Sequence, residues 1–204
     1  MDTWNKKVLR RGGGACVVLF VGLWSGFVGL AVSGCRKKDA KIKDLSWVRK
    51  EWSRAILHGD CEALYRVLDE KSHWAALSVG RDGKKAAALI AAQYPKEIRG
   101  RELAKLDGAQ KGAKAWFVHV CRSEKWTATI AKLGGKSKSV DRKGSVAVIH
   151  LVSGDKVVFE RDRYGRWGST ALRGQLKRHQ VKMANVLQMV QENVSQYRRG
   201  SMPR

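Results

Sequence analysis

The reactive side chains of this 204-residue sequence are few, with four cysteines and five histidines. Two imidazole–thiol pairs stand out, His58-Gly59-Asp60-Cys61 and His119-Val120-Cys121. Two His and two Cys make a zinc composition, but His-x-x-Cys with His-x-Cys is not a structural-zinc spacing, so no metal site is assigned. A disulfide between Cys61 and Cys121 competes with two buried free thiols, because a bridge needs Cα atoms within about 7 Å and spacing alone leaves that open. His119 and His150 both lie in apolar alternating segments. Each is a weak candidate for acid–base chemistry, against the plainer role of a hydrogen-bonded core histidine. The sequence has no Gly-x-Ser-x-Gly, Walker loop, His-Glu-x-x-His or paired-Cys spacing. No nucleophile–base pair can be named, and no cofactor is expected.

The first 35 residues fall into zones. Lys6, Lys7, Arg10 and Arg11 oppose a single acid, Asp2, and residues 15–32 carry no charge. Ser33-Gly34-Cys35 follows, then Arg36-Lys37-Lys38. A basic start, an apolar run and small residues at its end are the marks of an export signal. Val32-Ser33-Gly34-Cys35 resembles the lipobox of bacterial lipoproteins. The resemblance implies that residues 1–34 are a signal peptide, removed together with Cys16, and that Cys35 is the lipidation site. Residues 35–43 would be the lipidated cysteine and a basic tether. The protein would sit in the cell envelope, on the periplasmic or outer surface, held to the membrane through acylated Cys35. The alternative is an uncleaved transmembrane anchor, for which 18 apolar residues are just long enough.

Charge gives the second line of argument. The sequence has 41 Lys and Arg against 18 Asp and Glu, a net charge of +23, with 44% apolar residues and only two prolines. That composition excludes collagen-like, Pro-rich and wholly disordered chains. So large an excess suits a polyanion: nucleic acid, an anionic membrane or a wall polymer. Behind an export signal, nucleic acid is a poor fit, and anionic lipid or cell-wall polymer fits better. The basic clusters are spread along the chain. Around Tyr164 and Trp167 they include Arg161, Arg163 and Arg166, which suits stacking on bases or sugars, or else a core Trp167 with a solvated arginine rim. Glu160 and Asp162 read as solvent-facing partners of nearby arginines.

These residues need elements to place them. Leu45, Val48, Trp52, Ala55 and Ile56 share one helical face. Gly59 suits a helix stop, and Asp60 a cap for a second helix with Leu64, Val67 and Leu68. A third helix is predicted after Asp82, running to Pro95, and a further helical segment over 96–106 broken by Gly100. Residues 115–122 alternate as a strand would, with helix left open, whereas 124–133 suits a helix opened by Ser123. Strands follow over 136–140, 145–152, 156–161 and 166–170, with turns at Arg142-Lys143-Gly144, Ser153-Gly154-Asp155 and Tyr164-Gly165. A long amphipathic helix over 172–198 closes the domain, long enough to reach past the sheet, and 199–204 read as a disordered tail. The expectation is a single α+β domain over 44–198: helices, an antiparallel meander, then a long helix.

Gly59-Asp60-Cys61-Glu62-Ala63-Leu64 after a helix, and Asp162-Arg163-Tyr164-Gly165-Arg166-Trp167 in the last hairpin, are similar to motifs of the nuclear transport factor 2-like superfamily, which includes ketosteroid isomerase-type members. The resemblance spans about residues 44–171, and the long final helix departs from it. It implies a curved sheet enclosing a conical pocket, used for isomerase or cyclase chemistry or for binding alone, with His119 or His150 in the wall. The sequence therefore favours a non-catalytic binding or structural module in the envelope, with a small-ligand carrier or enzyme as the alternative.

Overall fold

A computed structural model describes residues 44–200. The order is α1 (Leu45–Leu57), α2 (Cys61–Arg66), α3 (Glu70–Gln93), α4 (Lys96–Ala104), a 3-10 turn (Ala109–Lys111), α5 (Ala113–Cys121) and α6 (Glu124–Ala131). Then come β1 (Ser137–Lys143), β2 (Val146–Leu151), β3 (Lys156–Arg161), β4 (Trp167–Ser169) and α7 (Arg173–Arg198). The fold class is α+β. The four strands form an antiparallel meander in the order β1-β2-β3-β4.

The sheet follows from period-two patterning. On β2 the residues Ala147, Ile149 and Leu151 are buried, and on β3 Val157 and Phe159 point the same way. Helix α1 covers this face, its Trp52 meeting Phe159 edge-on at 6.1 Å. The first hairpin turns one residue later than the sequence suggests. Lys143 pairs with Val146, which leaves Gly144 (φ 59°) and Ser145 as the two-residue turn. Positive φ at the first turn position is what glycine supplies there.

Two helical expectations need correcting and one open choice is resolved. The third helix does not start after Asp82; it starts at Glu70, capped by the Asp69 carboxylate on the Lys71 N–H. Gly80 and Gly83 both serve close approach. A Cβ on Gly80 would lie 2.9 Å from Ala113 Cα, and one on Gly83 2.8 Å from the Ala109 carbonyl carbon. Gly100 does not break α4, which runs through it exposed. The open choice over 115–122 resolves to helix: α5 runs to Cys121 and is capped by Arg122, with Trp116, Phe117, Val120 and Cys121 buried together at helical spacing.

The two long helices are parallel neighbours. Arg173 at the start of α7 bonds Asp69 at the start of α3. At the far ends Asn193 Nδ2 donates to Tyr94 Oη at 3.1 Å, and Tyr197 packs edge-on against Tyr94. Leu176, Met183, Val190 and Val194 form the buried stripe of α7, so the helix lies along α3 instead of reaching past the sheet alone. Arg199 caps it. One contiguous core runs from Val48 through the sheet to Val194.

Candidate functional site

Cys35, the lipobox residues Val32, Ser33 and Gly34, the apolar run 15–32 and residues 201–204 lie outside the described residues. Among the described residues no helix is long and apolar enough to cross a membrane.

Cys61 opens α2 and Cys121 closes α5, and the two are disulfide-bonded with Cα atoms 6.0 Å apart. The helical form of 113–121 makes this possible, since it turns Cys121 inward with Phe117. The bonded sulfurs are both buried, so the His58–Cys61 and His119–Cys121 pairs supply no free thiolate.

The structure does not bring His119 and His150 together. His150 is on the sheet face opposite α1, where its Nε2 lies 2.8 Å from Asp141 Oδ2 on β1. His119 is exposed on α5, beside the turn at Asp107 and Gly108. It shares a cleft with Asp107, Trp126, His179 and Lys182. His179 is a histidine that sequence periodicity marks only as part of the α7 stripe. It sits between the Trp116 and Trp126 rings, 5.4 and 5.6 Å from their centroids. Burial pushes its pKa below the usual imidazole value, helped by the positive charge of Lys182. On the face where a conical pocket would open, Trp52, Ile149, Val157 and Phe159 are buried and line a cleft of about 250 Å³ that has neither His119 nor His150 in its wall.

Charge and aromatic surface concentrate instead at the end of the sheet where β3 turns into β4. Asp162 organises that turn, accepting from the backbone N–H of Tyr164 and Arg166 at 2.9 and 2.8 Å and from Arg166 Nε at 2.8 Å. Despite partial burial, those bonds and the Arg166 charge hold its carboxyl below the ordinary range. Tyr164 is 56% exposed, and the guanidinium carbons of Arg163 and Arg166 lie 4.8 and 5.3 Å from its ring centre. Trp167 is buried, so it serves the core and not base stacking, and Arg142 rests over its ring at 5.2 Å.

Two clefts meet at Trp167. One runs between the turn and α3, lined by Tyr65, His73, Trp74, Leu77, Tyr164 and Arg166 among others. Trp74 is 63% exposed there, a large apolar residue in water that the sequence reading misses because it does not place residues 70–81 on a helix. The second cleft is lined by Asp44, Leu45, Arg49, Arg142 and Arg161 with Trp167. Exposed aromatic rings with adjacent guanidinium groups suit a boundary between water and an anionic, partly apolar phase. Comparison with family models, with curated proteins and with solved structures finds no match.

Proposed function

We propose that the protein is a lipid-anchored component of a bacterial cell envelope whose α+β domain binds at an anionic membrane or wall surface without catalysis. The observation that carries this reading is Val32-Ser33-Gly34-Cys35, placed after a basic start and an uncharged run over 15–32. Acyl chains on Cys35 would anchor the chain firmly, since each buried CH₂ contributes about 0.8 kcal/mol.

Three further features support it. The Cys61–Cys121 disulfide suits an oxidising compartment outside the cytosol. Residues 1–34 hold four basic residues and one acid, so +20 of the total charge belongs to residues 35–204. Basic residues close to an anionic leaflet contribute about 1 kcal/mol each. The exposed Trp74 and Tyr164, bordered by arginines, are the side chains an interface accommodates best.

Mass spectrometry of the protein taken from its own membranes tests the reading. The expected N-terminal peptide begins at Cys35 and carries a diacylglyceryl thioether on Sγ. An intact segment 1–34 would overturn it in favour of a transmembrane anchor.

A further inference from the structure

The cleft beside the first turn of α1 draws one arginine from each of three elements. Arg49 comes from α1, Arg142 from β1 and Arg161 from the end of β3, and together with Trp167 they line a space of about 350 Å³, near the small end of ligand pockets. Several arginines elsewhere are spoken for: Arg54 and Arg66 pair with Glu51, Arg166 with Asp162 and Arg173 with Asp69 and Glu160. Among the described residues, Arg49, Arg142 and Arg161 have no carboxylate partner.

The acid lining this cleft is Asp44, and it is already engaged. Its Oδ1 accepts from the Ser46 N–H at 2.8 Å and its Oδ2 from Ser46 Oγ at 3.0 Å. Arg142 is steadied against the Trp167 ring. Arg161 is steadied by its Nε bond to the Gly165 carbonyl at 3.1 Å, which leaves both Nη groups for another acceptor. Three guanidinium groups, two of them held in place, face one concavity whose one carboxylate, Asp44, forms an ion pair with none of them. Planar forks of N–H donors match phosphate oxygens in pairs.

We propose that this cleft binds a phosphate group, and that the phosphate is the headgroup of an anionic phospholipid. The lipid source rests on the lipid-anchored reading above. Asp44 and Leu45 form part of the cleft wall, and Asp44 follows Cys35 by nine residues, a covalent reach of at most about 30 Å. An acylated Cys35 therefore keeps the three arginines within one tether length of the headgroup layer. The same chemistry would also accept a soluble phosphate, and the test separates the two.

Full-length protein in uncharged detergent is titrated with phosphatidylglycerol or with phosphatidylcholine while its thermal unfolding is followed. Parallel samples receive inorganic phosphate or glycerol phosphate without lipid. The expected result is a saturable rise in Tm with phosphatidylglycerol and none with phosphatidylcholine. The R142Q/R161Q pair should need at least about tenfold more lipid for half the effect, and Arg49→Gln, at a half-buried position on α1, severalfold more. Lys85→Gln with Lys177→Gln removes the same charge from exposed sites elsewhere and should respond like wild type.

An equal lipid response in the wild type and in both arginine variants overturns the cleft while leaving surface association standing. No lipid response in any protein overturns both. Saturation by inorganic phosphate, with lipid adding nothing, overturns the lipid source. The mass of the Cys35 peptide decides the anchor independently of all these outcomes.

Discussion

Asp69 caps α3 and also accepts Nε and Nη2 of Arg173 at 3.2 and 2.7 Å, while the other donors of that guanidinium fork onto Glu160 at 3.1 and 2.6 Å. Ser72 Oγ adds a bond to the second Asp69 oxygen. One side chain thus ties the starts of α3 and α7 to the middle of the sheet. Arg173→Ala would leave Asp69 buried without its cation, and the expected loss is on the order of 3 kcal/mol. That is the low end for a buried pair, because the Arg173 side chain keeps 29% exposure. Urea unfolding measures it, and a loss under about 1 kcal/mol would show that water replaces the guanidinium. Two histidines make a separate prediction. Burial pushes His73 below the usual imidazole pKa, opposed in part by the Asp69 charge, and burial does the same to His179. A histidine with a depressed folded pKa contributes fully above its unfolded value near 6.5. Its contribution is lost as pH falls from there through the folded value, since the unfolded chain takes up the proton first. Wild-type Tm should therefore start to decline below about pH 6.5, and His73→Gln with His179→Gln should flatten that first decline.

Helix α3 depends on glycines where its neighbours come closest. A Cβ on Gly80 would meet the Ala113 Cα and Gly112 carbonyl carbon at 2.9 Å, both backbone atoms, so Gly80→Ala must push α5 away. The expected loss is about 1–3 kcal/mol. Gly100, with nothing within 4 Å of its would-be Cβ, predicts the opposite sign: Gly100→Ala should stabilise by about 0.5–1 kcal/mol through helix propensity. Paired Tm measurements on the two variants check both signs together. The contrast also explains what was legible beforehand. The meander, α1, α2, α6 and α7 show in the sequence because each has a one-sided apolar pattern set by its own burial. The first half of α3 and residues 115–122 do not. Glycine at 80 and 83 is a response to neighbours distant in sequence, and Phe117 and Cys121 reveal the helical face of α5 only once their burial is known. The same limit hid the arginine cleft, because Arg49, Arg142 and Arg161 are separated by whole elements and converge only through the α1–sheet packing. The staple between α2 and α5 belongs to this scale too. Replacing Cys61 and Cys121 by alanine frees a loop of 60 residues, and the expected cost is about 2–4 kcal/mol, read as a lower urea midpoint.

With 41 basic residues against 18 acids, the molecule relies on its carboxylates to limit self-repulsion, and they are placed where that matters. Hydrogen bonds from Arg54 hold Glu51 below its ordinary pKa, the Ala63 N–H does so for Asp60, and Arg173 does so for Glu160. A carboxyl with a depressed folded pKa stabilises fully above its unfolded value, about 3.9–4.3. That contribution disappears as pH falls through the folded value, because the native state must then give up its ionised form. Each proton taken up also removes a negative charge from a surface already far out of balance, so the losses reinforce one another instead of adding independently. The molecule should therefore unfold in acid in two stages: the shallow decline below about pH 6.5 set by the histidines, then a steep one below about pH 4 as the ion pairs are lost. Added salt distinguishes repulsion from pairing in the second stage. At 1 M salt the Debye length is about 3 Å, which weakens long-range repulsion far more than contact pairs such as Arg173–Glu160. The steep stage should consequently move to lower pH in high salt while the first stage stays where it is. Thermal melts across pH 7 to 3 at two salt levels measure this, and a steep stage that moves to higher pH in salt would mean that pair screening outweighs relief of repulsion.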